Sequence, residues 1–404
     1  METNSILHVD VLEEILMRLP VKDLLRWKVV SKQWYALIRA CIFNKKHYKF
    51  KHAMYITNCN DVPLFLDVPS TEDKHQTQFY LLSKQGDDNV VLDITRDFER
   101  DIPPKLANDL ELRNMRVKCM GIVNGVVGLQ WGRHRLALWN PATREFKDVA
   151  RWPITSDYNE DVDLYGSQIL GLGFDLKSNN FEILGLIDYH QESSIYDFHL
   201  YSLKTDSWTR LKEAPTSMVN FQFSDNDAYL ENGIYYWLAS GRSHLSDNMI
   251  ISFNFSTKMF KETILPKGFL CRNDGNVKCV PWKYLLGIGK YKQGLGLFIN
   301  RTVENNGGIE IWAVTKYEGD DEGVPLCWEL VVRVAEIQCY DGLYISTIRV
   351  CGDLLLIIQD ENSDEEVFGT LYDPRTNTFN NIGAGFCTSF TYVESLFSLS
   401  KMLF

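Results

Sequence analysis

Two patterns of hydrophobic and polar positions divide the sequence. Within residues 9–19 the apolar side chains recur at spacings of three, four and seven residues, the repeat of one helix face: Leu12, Ile15, Leu16 and Leu19. Downstream of residue 52 the pattern changes to short alternating or apolar runs bounded by Gly, Asn or Asp. The sequence therefore predicts a helical head followed by an all-β body.

Three short helices are predicted in the head. The first ends at Leu19, because Pro20 lacks an amide N–H and disfavours helical geometry in the residue before it. Pro20 can open the second helix, where a missing N–H costs little. The apolar stripe of that second helix is Val21, Leu24 and Leu25. The third helix follows Ser31, a favoured N-cap residue, with a stripe at Trp34, Leu37, Ile38 and Cys41.

The apolar residues of this head outnumber the positions in its own small core. A chain of roughly 40 residues usually needs a disulfide, a metal or a partner to be stable, and no disulfide or metal pattern occurs here. Each large apolar side chain left uncovered forgoes about 1.5–3 kcal/mol. The surplus predicts a docking surface, and the alternative is that the helices simply pack against the β-body.

One hairpin template recurs along the β-body. It consists of an aromatic residue, three residues, Thr, two residues and a second aromatic residue. Its copies are Trp139/Thr143/Phe146, Tyr201/Thr205/Trp208, Phe253/Thr257/Phe260 and Tyr372/Thr376/Phe379, with starts 62, 52 and 119 residues apart. We expect the two aromatic residues to face each other across adjacent strands.

The longest interval between copies holds a further unit. It contains Trp312 and Thr315, then the acidic insertion YEGDDEG, then Trp328. A degraded sixth copy is predicted to start at Tyr80. In each unit a buried apolar strand, such as GVVGL, GIYYWL or DLLLII, precedes the hairpin.

Units of about 60 residues suit four-stranded propeller blades. The predicted fold class is α+β and multi-domain. It has an N-terminal three-helix domain over residues 1–50, followed by an all-β, propeller-like domain of about six blade units over residues 51–404. The alternative for the body is an irregular β-sandwich with recurrent hairpins.

Charge separates the two parts. Residues 1–52 hold ten Lys/Arg and five Asp/Glu, whereas the rest of the chain holds 32 Lys/Arg and 48 Asp/Glu. The net charge of the whole chain is -11. An acidic body argues against nucleic acid and against anionic lipid as partners, because both need clustered basic residues. The runs DYNEDVDL, EGDDEG and DENSDEE are typical of solvated loop tips, and could also form a rim that steers a basic client.

The compartment is predicted to be cytoplasmic, nuclear or both. No apolar run reaches the length of a membrane span, and the start of the sequence lacks the features of a signal peptide. The nine cysteines form no CxxC pair, so we expect free thiols in core positions.

Recognisable catalytic motifs are missing from the sequence. There is no HExxH, CxxC, GxSxG, P-loop or GxGxxG, and GIGKYKQGLG fails the dinucleotide spacing because Lys292 stands where the third Gly belongs. We therefore expect no catalytic residue, no metal ligand and no cofactor. Client-binding residues cannot be assigned.

The segment from Leu7 to Ile38, LHVDVLEEILMRLPVKDLLRWKVVSKQWYALI, resembles the F-box of plant F-box proteins. The resemblance implies binding to a Skp-type adaptor and, through it, to a cullin-RING ubiquitin ligase. Carried over by position, the residues that face the adaptor or lie directly beneath that surface are Leu7, Val11, Leu12, Ile15, Leu19, Pro20, Val21, Leu24 and Leu25. Trp34 would lock the third helix. His8 replaces the family's first proline, which implies a less rigid entry turn and weaker adaptor affinity.

The β-body also resembles a known family. CMGIVNGVVGL, LALWNPATREFK and GLGFDLKSNNFEIL, in that order, are similar to the F-box-associated domain of plant F-box proteins, including S-locus F-box proteins of pollen. The resemblance covers about residues 115–385. It implies a kelch-like domain that recruits the protein to be ubiquitinated, and S-locus relatives recognise basic ribonucleases.

The predicted function is thus a non-catalytic substrate receptor of a Skp-cullin-F-box ubiquitin ligase. Its partners would be the adaptor and a protein client, possibly basic. One alternative is a propeller that binds or oxidises a sugar or another small molecule, with an unrelated helical cap. Another, prompted by His8, is an F-box protein that binds the adaptor without being an efficient ligase subunit.

Overall fold

A computed structural model shows the fold of the 404-residue chain. It describes residues 9–57, 64–69, 77–85, 91–97, 117–131, 135–152, 166–189, 195–212, 218–220, 228–231, 233–241, 248–265, 270–273, 276–279, 285–291, 294–300, 308–317, 325–334, 343–351, 354–361, 367–374, 376–384 and 388–400. The chain divides into two compact units. The first unit combines residues 1–149 with 390–404, and the second comprises residues 150–389.

The described part of the head contains four helices. They are α1 (Val9–Arg18), α2 (Val21–Trp27), α3 (Lys32–Arg39) and α4 (Cys41–Thr57). The first three are the predicted helices. The Ser31 hydroxyl caps α3 as expected and accepts a hydrogen bond from the Trp34 amide at 3.1 Å. Pro20, however, has extended backbone and precedes α2, which begins at Val21, one residue after the predicted start.

The end of the third helix was predicted too far along the chain. Ala40 has extended backbone (φ -64°, ψ 129°), so α3 ends at Arg39 and Cys41 begins α4 instead of completing the stripe of α3. Cys41 is exposed, which contradicts its expected place in a core, whereas Cys119 is buried and forms no disulfide, as predicted. The other cysteine side chains lie outside the described residues.

Helix α4 was not predicted because polar residues occupy its core-facing positions. Asn44 and His47 are buried together with Phe43. Each polar side chain reaches a backbone carbonyl: Asn44 Nδ2 donates to the Leu396 oxygen at 3.3 Å, and His47 Nε2 lies 2.9 Å from the Leu19 oxygen. A buried polar group is stable when it is hydrogen-bonded, and no apolar periodicity reveals such a helix.

The β-body consists of antiparallel sheets, six of them with four or five strands among the described residues. In the first unit the strands are β1 (Leu64–Pro69), β2 (Thr77–Gln85), β3 (Val91–Asp97), β4 (Val117–Val123), β5 (Val126–Trp131), β6 (Arg135–Asn140) and β7 (Glu145–Asp148). They are joined by β27 (Thr388–Thr391), the last strand in the sequence. They form sheets of order β27-β1-β2-β3 and β4-β5-β6-β7.

The second unit holds the remaining sheets. Its first two sheets contain β8 (Gly166–Asp175), β9 (Asn180–Tyr189), β10 (Ile195–Ser202), β11 (Ser207–Arg210), β12 (Met218–Asn220), β13 (Ala228–Glu231), β14 (Ile234–Gly241), β15 (Asn248–Asn254) and β16 (Met259–Ile264). The others contain β17 (Leu270–Asn273), β18 (Asn276–Cys279), β19 (Leu285–Tyr291), β20 (Gly294–Asn300), β21 (Ile309–Tyr317), β22 (Pro325–Val334), β23 (Leu343–Cys351), β24 (Leu354–Glu361), β25 (Val367–Asp373) and β26 (Thr378–Ala384). Most are four-stranded meanders; β17 and β18 form a two-stranded ribbon. The predicted fold class, helices before an all-β body of about six units, is confirmed.

All four copies of the hairpin template have the predicted register. The directly opposed pairs are Trp139 with Phe146, Tyr201 with Trp208, Phe253 with Phe260, and Tyr372 with Phe379. The residue after each Thr has a left-handed backbone: Arg144, Asp206, Lys258 and Asn377. This left-handed residue allows the chain to reverse within a short turn, and the aromatic pair fixes which residues of the two strands face each other.

The side chain after the first aromatic residue organises the turn. Asn140 Oδ1 accepts hydrogen bonds from the amides of residues 142 and 143, and Asn254 Oδ1 accepts the same two bonds in its own copy. Each asparagine thereby satisfies two backbone donors of its own turn.

Two weaker members of the repeat do not follow the template. Tyr80 lies within β2, opposite Asp97 and Leu66, so it does not begin an aromatic hairpin and the predicted sixth copy is wrong at this position. Trp312 lies opposite Leu330 while Trp328 lies opposite Val314, so these two aromatic residues are offset. The ladder of β21 and β22 contains three register shifts, which the simple template could not foresee.

Neighbouring sheets in the second unit share their cores. One buried cluster joins residues of β8–β10 to residues of β14 and β15, and a second joins β14 and β15 to β19–β22. Gly173 shows how tight the first junction is, because a Cβ there would lie 2.1 Å from the Phe255 ring. Strand β14, which contributes to both clusters, is the apolar run GIYYWL recognised in the sequence.

A buried charge cluster ties two hairpins of the second unit together. Lys258 Nζ lies 2.5 Å from Glu182 Oε2 and 3.5 Å from Asp175 Oδ2, and it also contacts the Phe255 carbonyl. Burial raises the pKa of Glu182, and Lys258 partly offsets this effect. Burial acts in the same sense on Asp175, but hydrogen bonds from Ser178 and backbone amides bring its pKa down to about 2.

Lys258→Met is expected to destabilise the second unit by about 1–3 kcal/mol, since Glu182 loses its cation while Lys258 itself is 34% exposed. Without Lys258 the pKa of Glu182 rises further, so the loss is largest at neutral pH and shrinks as acidification neutralises the carboxylate. Urea denaturation at pH 7 and pH 5 measures this change. Lys261→Met, at an exposed position of β16, is the control. Equal losses for both variants would contradict the assignment.

Candidate functional site

The helical head has a continuous core of its own. Its buried members are Leu12, Leu16, Val21, Leu24, Ile38, Phe43 and Leu396. The last of these comes from residues 392–400, here called the strap, which follow β27. The four helices thus pack around one centre that the strap completes.

A second apolar face of α1 remains uncovered. Val11 is 48% exposed and Ile15 is 42% exposed. These residues are four positions apart and therefore lie one above the other on the helix. They flank the stripe of Leu12 and Leu16, which points into the core. We call Val11 and Ile15 the α1 face.

Other large apolar side chains of the head are also exposed. They are Val9, Val29, Val30, Tyr35, Ile42 and Met54. Val29 and Val30 occupy the turn between α2 and α3, with exposures of 88% and 60%. Apolar residues that are exposed singly are common, so the informative features are the Val11/Ile15 pair and the consecutive valines of the turn.

The residues predicted to face the adaptor, or to lie beneath that surface, divide by burial. Val11, Ile15 and Pro20 are exposed, and Leu19, Leu25 and Trp34 are half-buried. Leu12, Val21 and Leu24 are buried. Leu7, together with His8 and its replaced proline, lies outside the described residues. Their assignment to an adaptor site remains a prediction.

Aromatic and hydrogen-bonding contacts fix the exposed side chains. The Trp34 ring packs on Trp27 with centroids 5.0 Å apart, which joins α3 to α2. Arg39 lies over the Tyr35 ring at 5.2 Å and donates to its hydroxyl at 2.5 Å. Of these contacts, the Trp27–Trp34 pair links α3 to α2, and the Arg39–Tyr35 pair lies within α3.

Helix α4 supports the junction of α1 and α2. His47 bonds to the Leu19 carbonyl, and Lys51 Nζ donates to the Arg18 carbonyl at 3.0 Å. The last carbonyls of a helix have no hydrogen-bond partner within it, and the side chains of His47 and Lys51 supply partners for these two. Lys46 also pairs with Glu13 at 2.7 Å. Burial lowers the pKa of His47, so its neutral form predominates near neutral pH.

Neither a metal site nor a membrane-spanning helix occurs in the part of the chain that the structure describes. Within the described residues, no group of three or more His, Cys, Asp or Glu side chains could hold a metal ion. None of the described helices is both long enough and apolar enough to cross a membrane. The three acidic runs of the β-body fall almost entirely outside the described residues, so a rim for a basic client stays a prediction.

The molecule thus combines a small helical module, apolar on an open face, with a body of repeated four-stranded sheets. Residues 97–399 match the family described as F-box associated beta propeller domain, and residues 5–46 match the F-box domain. The chain belongs to the F-box-associated β-propeller family, and its helical head is an F-box.

Plant proteins are among its relatives. F-box protein CPR1 of Arabidopsis thaliana is 23% identical over 386 residues, covering 92% of this chain and 83% of that protein. F-box protein At3g08750 of Arabidopsis thaliana is 26% identical over 317 residues, covering 76% and 69%. A further Arabidopsis relative, At3g16210, is 26% identical, and the match spans 59% of its length. The resemblance to plant F-box proteins is confirmed; these matches do not address the S-locus group.

Solved structures share the β-body only distantly. Polysaccharide lyase Uly1 has a TM-score of 0.38 at 12% identity, covering 66% of this chain and 80% of that one. An oligogalacturonate lyase in complex with manganese has a TM-score of 0.36 at 10% identity, covering 80% and 74%. Similarity at this level carries no argument about activity.

Sequence reasoning missed two parts of the site. Val29, Val30 and Ile42 lie outside the stripes used to select adaptor residues, although the consecutive valines before Ser31 were a visible signal of an apolar turn. The strap was missed because Leu396 is 352 residues from its hydrogen-bond partner Asn44, and no local pattern links them.

Proposed function

We propose that the protein is a substrate receptor of a Skp-cullin-F-box ubiquitin ligase. The F-box binds a Skp-type adaptor and through it the cullin-RING ligase, while the β-propeller domain holds a protein client. The receptor supplies proximity and orientation for ubiquitin transfer and needs no bond chemistry of its own. In this proposal residues 1–50 form the adaptor-binding domain and residues 51–404 form the client-binding domain.

The observation that carries this proposal is the open apolar face of the F-box. The chain buries Leu12 and Leu16 but leaves Val11 and Ile15, one position before each of them, in contact with solvent. Burying such a side chain in an interface contributes about 1.5–3 kcal/mol. The module is therefore folded and still has apolar surface available for a second polypeptide.

Substitution of the α1 face tests the adaptor role. Val11→Asp and Ile15→Asp are each expected to weaken binding of a purified Skp-type adaptor by about 10–100-fold, because each places a charge where an apolar contact forms. Both positions are exposed in the free protein, so folding should be retained. Isothermal titration with the full chain gives the affinity, and circular dichroism checks the fold.

The matched control is Leu176→Asp, which makes the same change at a position that is 53% exposed in the second unit. It should bind the adaptor like the unmodified protein. Adaptor affinity that is unchanged in a folded Val11→Asp, Ile15→Asp double variant would refute the assignment of the α1 face.

Charge indicates the class of client within this proposal. The excess of acidic over basic residues downstream of residue 52 favours a basic protein, which opposite charge would steer to the receptor. Cytoplasm, nucleus or both are the proposed compartments. Crosslinking mass spectrometry with the ligase inhibited should recover the client, and recovery of acidic proteins alone would contradict the charge argument.

A further inference from the structure

The strap belongs to the core of the F-box. Leu396 is 3% exposed and packs in the same cluster as Leu12 and Leu16. Asn44 of α4 donates to the Leu396 carbonyl, and the Tyr48 ring meets Phe397 edge-on with centroids 6.4 Å apart. The helices that carry the α1 face therefore depend on a segment from the far side of the sequence.

The same strap is bound to the sheet β4-β5-β6-β7. Asn140, which is fully buried, donates through Nδ2 to the carbonyls of Ser395 at 3.2 Å and Phe397 at 2.7 Å. Its Oδ1 accepts the two turn amides already described. One asparagine thus uses one end of its amide for the hairpin and the other end for the strap.

Two further residues of the β4–β7 segment lie against the strap: Glu145 binds it, and Gly125 leaves room for it. The Glu145 carboxylate accepts hydrogen bonds from the Ser398 hydroxyl, at 2.8 and 3.0 Å, and from the Leu399 and Ser400 amides. Gly125 has φ +72°, and a Cβ there would lie 2.5 Å from the Val393 carbonyl. Position 125 therefore requires glycine both for its backbone and for the close approach of the strap.

We propose that the strap is the internal partner that completes the F-box, and that Asn140 is a positioning residue for adaptor binding. Asn140 is the last residue of β6 and is no part of the α1 face. By fixing the Ser395 and Phe397 carbonyls it sets Leu396 against α1 and α4. Adaptor affinity consequently depends on a residue of the propeller sheet. This inference rests on the proposed function for its binding readout.

The decisive variant is Asn140→Asp. An aspartate keeps the oxygen that accepts the turn amides, but it replaces the donor with an oxygen that faces two carbonyls. The matched control is Asn254→Asp, the same change at the equivalent turn position of another hairpin copy, where the Asn254 oxygen accepts the same pair of amides. A loss confined to Asn140→Asp isolates the strap bonds from the turn.

Both variants are measured as the full chain. Asn140→Asp should weaken adaptor binding by about tenfold or more and speed amide hydrogen exchange in α1, α4 and residues 392–400. A role limited to the turn would change exchange in β6 and β7 but not in the helices. Unchanged exchange in α1 and α4 would overturn the proposal.

Leu396→Ala provides a second test that leaves the sheet untouched, in case Asn140→Asp does not fold. It should also speed exchange in α1 and α4. Combined with Asn140→Asp, its effect on adaptor affinity should be less than additive, because both changes release the same strap. Strict additivity would contradict the proposal. If the unmodified chain binds no adaptor, the proposed function fails, and hydrogen exchange in the helices still decides whether the strap completes the F-box.

Discussion

Replacement of Trp139 by alanine is expected to destabilise the first unit by about 3–5 kcal/mol. Trp139 is fully buried and forms the centre of an aromatic cluster: its ring lies 5.8 Å from Phe79 and 6.4 Å from Phe65, and Phe146 faces it across the hairpin. Removing the indole leaves a cavity that rigid strands on both sides cannot fill. Urea denaturation followed by near-UV circular dichroism measures the loss.

Phe379→Ala is the control for that experiment. Phe379 holds the second position of the same template in another sheet, opposite Tyr372, but it is 38% exposed. We expect a cost of about 1 kcal/mol, because water reaches much of the ring before and after the change. If the urea midpoint of Trp139→Ala were no lower than that of Phe379→Ala, burial would not determine how much each aromatic residue stabilises its hairpin.

Leu16→Asp is expected to unfold the F-box. Leu16 is fully buried, and an aspartate there would place an unpaired charge among Leu12, Leu24 and Leu396 at a cost above about 4 kcal/mol. Protection from amide hydrogen exchange should be lost throughout α1 to α4, and adaptor binding should be lost with it. The sheets of the second unit should keep their protection, since none of them contributes to this core cluster.

Ile15→Asp provides the comparison, one residue earlier on the same helix. It should bind the adaptor poorly for a different reason, with exchange protection of the helices retained, because Ile15 already faces water. The pair separates folding of the F-box from its interface. Loss of protection in Ile15→Asp would mean that the α1 face belongs to the core.

The hairpins were predictable because their information is local. An aromatic residue, a polar turn and a second aromatic residue within eight positions determine which residues face each other, and all four copies confirm it. Tyr80 fails the same rule because the turn signals around it do not match a strand end; it lies inside β2. Sheets of a repeated domain are therefore easier to predict at their turns than at their first, irregular member.

The F-box was predictable only in part, because some of the contacts that shape it are distant in the sequence. The spacing of Leu12, Ile15 and Leu16 shows an apolar helix but not which side meets the core. That choice depends on Leu396, which the sequence places far away, and on α4, whose core positions are filled by Asn44 and His47. Buried polar residues with distant partners leave no periodic signal. The distinction between the buried stripe and the α1 face could not be derived before the fold was known.

The strap has a consequence for synthesis of the protein. Asn44 and Leu396 are 352 residues apart, and a ribosome adding about 5–20 residues per second needs roughly 20–70 s to cover that distance. During this time the nascent helices lack the leucine that seals them, while the propeller strands emerge one after another. A translation product that stops before residue 392 never receives this seal, so we expect its helices to lack the core contacts and the Asn44 hydrogen bond that Leu396 supplies.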